Sequence, residues 1–346
     1  LLAHLSLAIN VSARQFLQDD FVAQVLALVQ QTGAGVPDES APLSSRSATH
    51  DYNGDGKSDM LWRNTSTGQN ALWPSGNSGA EQELQGVAGT WKLAAVGDFD
   101  GNGKSDLIWR NNSTGQNVKW DNGDSATEQF ITSVGNTDWK LAAVGDFDGN
   151  GKSDVIWRNA TTGQNVRWNN GDSATEQFVN SVGINWKLAA VGDFDGNGKS
   201  DLIWRNTSTG ENVKWDNGDS ATEQFITPVG NTNWKLAAVG DFDGNGKSDI
   251  VWRNASTGQN VIWSNGDSAT EQAINPVALA WRIAGVGDYD GNGKSDLIWR
   301  NDATGQNVMW SNADSATEQF VTPVGTAWEL TLVGGSALLP DGTYLV

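Results

Sequence analysis

The sequence predicts an all-β fold built from one four-stranded unit repeated around a ring, and three observations carry that expectation. First, the string Asp-Phe-Asp-Gly-Asn-Gly-Lys-Ser-Asp begins at Asp98, Asp146, Asp193 and Asp241. A Tyr variant begins at Asp288 and a looser version, Asp-Tyr-Asn-Gly-Asp-Gly-Lys-Ser-Asp, at Asp51, so that successive starts lie 47 or 48 residues apart. Second, each period splits into four short β-prone runs separated by Gly, Asn and Asp turn signals, with no run long enough for a helix. Third, the chain holds 18 Trp, three to each full period. Four strands in roughly 40–50 residues, repeated, are the pattern of a β-propeller blade.

The elements follow in a fixed order. Trp-Lys-Leu-Ala-Ala-Val-Gly (91–97) is the first strand of a period and leads into the Asp-rich loop. Leu-Ile-Trp-Arg-Asn (107–111) is the second, a Ser-Thr-Gly turn leads to Gln-Asn-Val-Lys-Trp (116–120), and Thr-Glu-Gln-Phe (127–130) ends the unit. The first period carries only Trp62 and Trp73 and lacks the strand before its loop. The missing piece stands at the other end, where Trp328 precedes Gly335 by seven residues, as Trp91 precedes Asp98. The 18 Trp then form six sets of three if residues 328–335 complete the first blade. Closing the ring in this way also removes exposed sheet edges. Six blades are expected, with a truncated seven-bladed ring as the rival.

The region before the repeats is a different kind of sequence. Residues 5–11 alternate like a strand, and Phe21, Val22, Val25, Leu26, Leu28 and Val29 share one face at helical spacing. Asp19 and Asp20 stand near the start of that helix, and Gly33 can end it. A Pro- and Ser-containing linker follows. The expected division is a strand-helix segment over 1–34, a linker over 35–47 and the propeller over 48–346. One strand and one helix cannot bury a core of their own.

Composition excludes several functions. The formal charge is −19, from 22 Lys and Arg against 41 Asp and Glu, which argues against nucleic acid and anionic membranes as partners. No cysteine is present, so disulfides, thiolate metal sites and cysteine nucleophiles are excluded. Only His4 and His50 offer an imidazole. No apolar run approaches the ~20 residues of a membrane-spanning helix.

The repeated loop is where the chemistry concentrates. In the second loop Asp98, Asp100, Asn102 and Asp106 fall at positions 1, 3, 5 and 9, and the carbonyl of Lys104 falls at position 7. The first loop offers Asp51, Asn53, Asp55, Lys57 and Asp59, and the third Asp146, Asp148, Asn150, Lys152 and Asp154. Asp193, Asp195, Asn197, Lys199 and Asp201 form the fourth set; Asp241, Asp243, Asn245, Lys247 and Asp249 form the fifth. Asp288, Asp290, Asn292, Lys294 and Asp296 complete the series. Alternate oxygen donors around a glycine bend suit a hard cation, and calcium above all. An EF-hand would need Glu at position 12, where Trp109 stands inside a strand. About six Ca²⁺ are expected, one per loop. Their twelve positive charges would bring the formal charge from −19 to −7.

The loop followed by Leu-Ile-Trp-Arg-Asn resembles the FG-GAP/VCBS repeats of integrin α-chain propellers and of propeller lectins, over about residues 48–346. That resemblance implies structural calcium held by the loop oxygens and an adhesive or carbohydrate-binding role at the cell surface or outside the cell. Residues 333–336 keep no acid, so no site is expected there. Residues 7–16 and the helix after them resemble an internal piece of EAL-type cyclic-di-GMP phosphodiesterases, which implies a metal-holding role for Asn10. The Glu-Ala-Leu signature, the paired-Asp motif and the catalytic Lys of that family are absent, so an enzyme is not expected; the alternative reading is an inactive phosphodiesterase fragment fused to a propeller. Most of the Trp are expected between blades. The set Trp120, Trp168, Trp215, Trp263 and Trp310, each followed by an Asn-containing turn, is the expected exposed surface for a neutral sugar. The expected partner is a glycan or a protein surface, bound by a monomer.

Overall fold

The computed structural model describes residues 49–135, 138–230 and 233–331 of the chain. The chain divides into two compact units, Leu1–Ser45 and Arg46–Val346. The first lies outside the described residues, and so do Asn10, the linker and residues 333–336.

The second unit is a six-bladed propeller of four-stranded antiparallel sheets. The strands of the first period are β1 (Met60–Asn64), β2 (Asn70–Trp73) and β3 (Gln82–Leu84). The next blade is β4 (Trp91–Gly97), β5 (Asp106–Asn111), β6 (Asn117–Trp120) and β7 (Gln129–Ile131). The third comprises β8 (Trp139–Gly145), β9 (Asp154–Asn159), β10 (Asn165–Trp168) and β11 (Gln177–Val179). The fourth comprises β12 (Trp186–Gly192), β13 (Asp201–Asn206), β14 (Asn212–Trp215) and β15 (Gln224–Ile226). The fifth is β16 (Trp234–Gly240), β17 (Asp249–Asn254), β18 (Asn260–Trp263) and β19 (Gln272–Ile274). The sixth is β20 (Trp281–Gly287), β21 (Asp296–Asn301), β22 (Asn307–Trp310) and β23 (Gln319–Val321), and β24 (Trp328–Leu330) follows it. β24 pairs with β1, giving the sheet order β24-β1-β2-β3. Trp328 lies opposite Asn64, as Trp91 lies opposite Asn111 in the next blade. The rival of a truncated seven-bladed ring is thereby removed.

Neighbouring first strands pack side by side, β4 on β8, β8 on β12, β12 on β16 and β16 on β20, which places them innermost. The second strand of each blade is buried almost throughout because a neighbouring blade covers each face. Its Trp is the largest core residue: Trp62, Trp109, Trp157, Trp204, Trp252 and Trp299 are each only 1–2% exposed. Each of these rings meets the third-strand Trp of its own blade in a tilted pair, 5.4 Å between centroids for Trp109 and Trp120. On its other side lies an Arg from the preceding blade, such as Arg63 at 4.9 Å from the Trp109 ring. Such contacts tie blade to blade with both dispersion and cation–π attraction.

Turn chemistry explains the rest. After β6 the chain reverses at Asp121–Gly123, where Asn122 (φ 55°) and Gly123 (φ 73°) are left-handed; Asn and Gly are the residues that adopt such backbone cheaply. Gly97, at the end of β4, serves a different purpose. A Cβ there would lie 2.6 Å from Ser153 Oγ of the next blade, so the glycine allows the two blades to touch.

Candidate metal centre

In the second to sixth blades each Asp-rich loop joins the first strand to the second; in the first blade the loop leads into β1, whose inner neighbour is β24. In the second blade Asp98 follows β4, and Asp106 opens β5 with its side chain buried. Two glycines with positive φ, Gly101 (79°) and Gly103 (84°), bend the loop so that its polar groups turn inward. Asp98 Oδ1 accepts from Gly101 N at 2.7 Å and Asn102 N at 3.1 Å, while its Oδ2 accepts from Gly103 N at 2.8 Å. Asn102 N also donates to Asp100 Oδ1 at 3.0 Å, and Asn102 Oδ1 accepts from Lys104 N at 2.8 Å. Asp106 Oδ2 accepts from Phe99 N and its Oδ1 from Asn122 N, both at 2.9 Å. The main chain thus orients every carboxylate of the loop.

The result is convergence. One carboxylate oxygen from each of Asp98, Asp100 and Asp106 lies within 4.8 Å of the other two. The same holds for Asp146, Asp148 and Asp154, and for Asp193, Asp195 and Asp201. It holds again for Asp241, Asp243 and Asp249, and for Asp288, Asp290 and Asp296. Among the described residues, the first loop does not form such a cluster of three. It carries Asn53 at position 3, and its Asp55 at position 5 accepts instead from Lys57 N (2.9 Å) and Ser75 Oγ (3.1 Å). Sequence register alone had treated the six loops as equal.

Position 9 is a buried acid in every loop. Burial pushes the carboxyls of Asp59, Asp106, Asp154, Asp201, Asp249 and Asp296 up to about 6, against the opposing pull of backbone N–H groups. Neighbouring carboxylates of the same loop add to the rise; for Asp106 that neighbour is Asp100. A buried acid beside two further acids is stabilised by a proton or by a cation. The donor set is all oxygen, with Asn150 and Lys152 in the third loop placed as Asn102 and Lys104 are in the second. Asn102, Asn197, Asn245 and Asn292 each accept a lysine backbone N–H with one lone pair of the amide oxygen, leaving the second for another partner. This chemistry fits a hard divalent cation such as calcium.

Two features escaped sequence reasoning. The lysine side chains at position 7 leave their own loop: Lys57 Nζ donates to Asp290 O of the sixth blade at 3.0 Å. The serine at position 8 also crosses, with Ser153 N donating to Asp98 O at 2.6 Å. The Lys-Ser pair is visible in every repeat, but nothing in one strand's spacing shows which blade it reaches.

The tryptophan expectation is corrected. Trp120, Trp168, Trp215, Trp263 and Trp310 are 3–5% exposed and lie in the core. Their rings pack on the second-strand Trp, and their indole N–H groups are directed at a glutamate of the same blade, Glu271 Oε2 at 2.9 Å in the case of Trp263. The strand period explains the error. Trp120 pairs with Leu107, whose face is covered, although its neighbours Lys119 and Asp121 reach water. The exposed aromatics are instead Phe130, Phe178, Phe225 and Phe320 on the outer strands, 69–82% exposed. The turn after β5 is held by a side chain at its start: Asn111 Oδ1 accepts from Ser113 N (2.9 Å) and Thr114 N (3.2 Å).

Comparison with known proteins agrees with this architecture. The FG-GAP-like repeat profile matches five times, over residues 51–109, 98–157, 146–204, 193–252 and 241–299. No curated protein matches the chain. Among solved structures, a chain of a nidogen/laminin complex is similar at TM-score 0.51 and 13% identity, covering 77% of this chain and 93% of that one. A lectin of Agrocybe aegerita that recognises non-reducing terminal N-acetylglucosamine is similar at TM-score 0.48 and 15% identity, covering 82% and 76%. Virginiamycin B lyase from Staphylococcus aureus aligns at TM-score 0.43 and 8% identity, over 74% and 77%. With five repeat matches spanning most of its length and six blades built on the same loop, the chain belongs to the FG-GAP-like repeat family.

Proposed function

We propose that this chain is a calcium-braced binding module that works outside the cell and presents a repeated surface to a glycan or protein partner. The observation that carries the reading is the set of five Asp triads, each gathered within 4.8 Å at the same point of its blade. Calcium modules that work outside the cell commonly bind with Kd around 10⁻⁴–10⁻³ M, which suits a site of three exchangeable carboxylates at a surface loop. A non-enzymatic role is supported by the repetition itself. Catalysis needs one asymmetric set of groups, whereas equivalent weak sites gain strength on a multivalent partner.

The contact surface in this reading is the outer rim. Phe130, Phe178, Phe225 and Phe320 project from β7, β11, β15 and β23, while Glu83 and Ala273 hold the same position in the first and fifth blades. Exposed aromatics in register are a recognition surface for sugar rings or apolar side chains. Among the described residues no helix is long and apolar enough to cross a membrane. The test is binding of the whole chain to a glycan array and to immobilised extracellular matrix proteins, with calcium and with chelator. Calcium-dependent binding that is lost when the four Phe become Ser supports the reading; binding that ignores both changes overturns it.

A further inference from the structure

The six loops touch one another around the ring through groups that a single-site description leaves unused. Ser105 N donates to Asp51 O at 2.6 Å, Ser153 N to Asp98 O at 2.6 Å and Ser200 N to Asp146 O at 2.7 Å. Ser248 N reaches Asp193 O and Ser295 N reaches Asp241 O, each at 2.7 Å, and Ser58 N closes the circle on Asp288 O at 2.8 Å. At three seams the bond is returned, with Asp193 N donating to Ser248 Oγ (3.0 Å), Asp241 N to Ser295 Oγ (3.1 Å) and Asp288 N to Ser58 Oγ (3.0 Å). The lysines cross the same seams. A Cβ at Gly101 would lie 2.8 Å from Lys152 Cε, and one at Gly54 would lie 2.7 Å from Lys104 Cε. The equivalent relation joins Gly291 to Lys57, whose Nζ holds Asp290 O.

These contacts give the end of each loop two partners. Position 9 supplies the buried carboxylate of its own loop, and position 8 is bonded to the main chain of position 1 in the preceding loop. Position 1 is in turn the Asp whose carboxylate accepts three N–H groups and organises that preceding loop, as Asp98 does. A loop drawn into order by a cation therefore fixes the anchor on which the next loop's Ser and buried Asp sit.

We infer that the five loops with Asp triads take up calcium as one coupled set, with the position-8 serines and position-7 lysines as the positioning residues that couple them and the first loop closing the ring through Ser58 and Lys57. The inference rests on the calcium reading above. The sign is positive, because ordering one loop removes part of the conformational cost of ordering its neighbours. Repulsion between bound cations opposes this, but over distances beyond about 8 Å it is screened at physiological salt. Coupling is reciprocal, so each loop favours the one before it as much as the one after.

The test is a calcium titration of the full chain by isothermal calorimetry at pH 7.5, beside two variants whose folding is checked by their melting curves. Asp195→Ala removes one exposed ligand. Ser248→Ala with Ser295→Ala removes two of the returned seam bonds and touches no cation ligand. The inference expects a Hill coefficient above 1 for the parent, a weaker midpoint for the remaining sites in Asp195→Ala, and an unchanged stoichiometry with a lower Hill coefficient in the double serine variant. A parent Hill coefficient of 1 or below, or an Asp195→Ala protein that loses one site while the others keep their midpoint, overturns the coupling and leaves the calcium reading standing. No calcium uptake at all overturns the calcium reading itself.

Discussion

The guanidinium of Arg300 lies 5.1 Å over the Trp62 ring, so the last blade holds the first with the contact that joins every other pair. Arg300 also donates through Nη2 to Trp328 O of β24 at 2.8 Å and through Nη1 to Asn307 Oδ1 at 2.9 Å. Its fork therefore bonds to its own blade and to β24, while its face stacks on Trp62 of β1. Replacing Arg300 by Met should cost about 3 kcal/mol or more, because hydrogen bonds to a charged group contribute about 1.5–3 kcal/mol each and the buried carbonyls lose their donor. Chemical denaturation should show that loss. A change within about 0.5 kcal/mol, the range of an ordinary surface substitution, would mean that the seam is held elsewhere.

Ring closure gives a second prediction. β24 covers the edge of β1 through Trp62 opposite Leu330 and Asn64 opposite Trp328, and Thr331 N donates to Leu61 O at 2.9 Å. Removal of residues 327–346 should leave that edge open and the first blade short of one strand. Broad, non-cooperative melting with aggregation is the expected result, read by calorimetry and light scattering. A truncated chain that melts as sharply as the parent would contradict it.

The buried tryptophans should behave as core residues. Trp215→Ala removes a ring that is 4% exposed and packed 5.4 Å from Trp204. It should destabilise the fold by roughly 3–5 kcal/mol, the usual cost of emptying a large aromatic site. Phe225→Ser, at an exposed position on the outer strand, should leave the melting temperature nearly unchanged. Equal effects of the two substitutions on melting would reverse these assignments.

Much of this was legible in the sequence, for a physical reason. Turn residues and alternating strands recur in register, so the blade, its order and the closing strand at Trp328 could be read from spacing alone. The convergence of Asp98, Asp100 and Asp106 was legible too, since alternate positions around two glycines face one point. Burial of Trp120 was not, because it depends on a neighbouring blade covering the face shared with Leu107. The crossing of Lys57 to Asp290 was equally hidden, since it spans 233 residues of sequence and exists only when the ring is closed.

The raised carboxyls predict a pH dependence whose direction inverts with calcium. Asp106 and its equivalents titrate at about 6 when folded, against an unfolded value of 3.8. Without a cation, their contribution to stability is fully present below about pH 4 and is lost as pH rises through about 6. Calcium needs the ionised form, so its stabilisation grows across the same interval. The gap between calcium-loaded and chelated melting temperatures should be small at pH 5 and wide at pH 7.5. A gap that is widest at pH 5 would exclude these carboxylates as the ligands.

The most direct test of the central claim is thermal melting of the intact chain at pH 7.5, first with chelator and then with about 1 mM calcium restored. At Kd values of 10⁻⁴–10⁻³ M, each occupied site adds roughly 0.4–1.4 kcal/mol. Several loops filled together should raise the melting temperature by many degrees, reversibly and in proportion to the logarithm of calcium concentration. A melting curve that calcium and chelator leave unmoved would contradict the account.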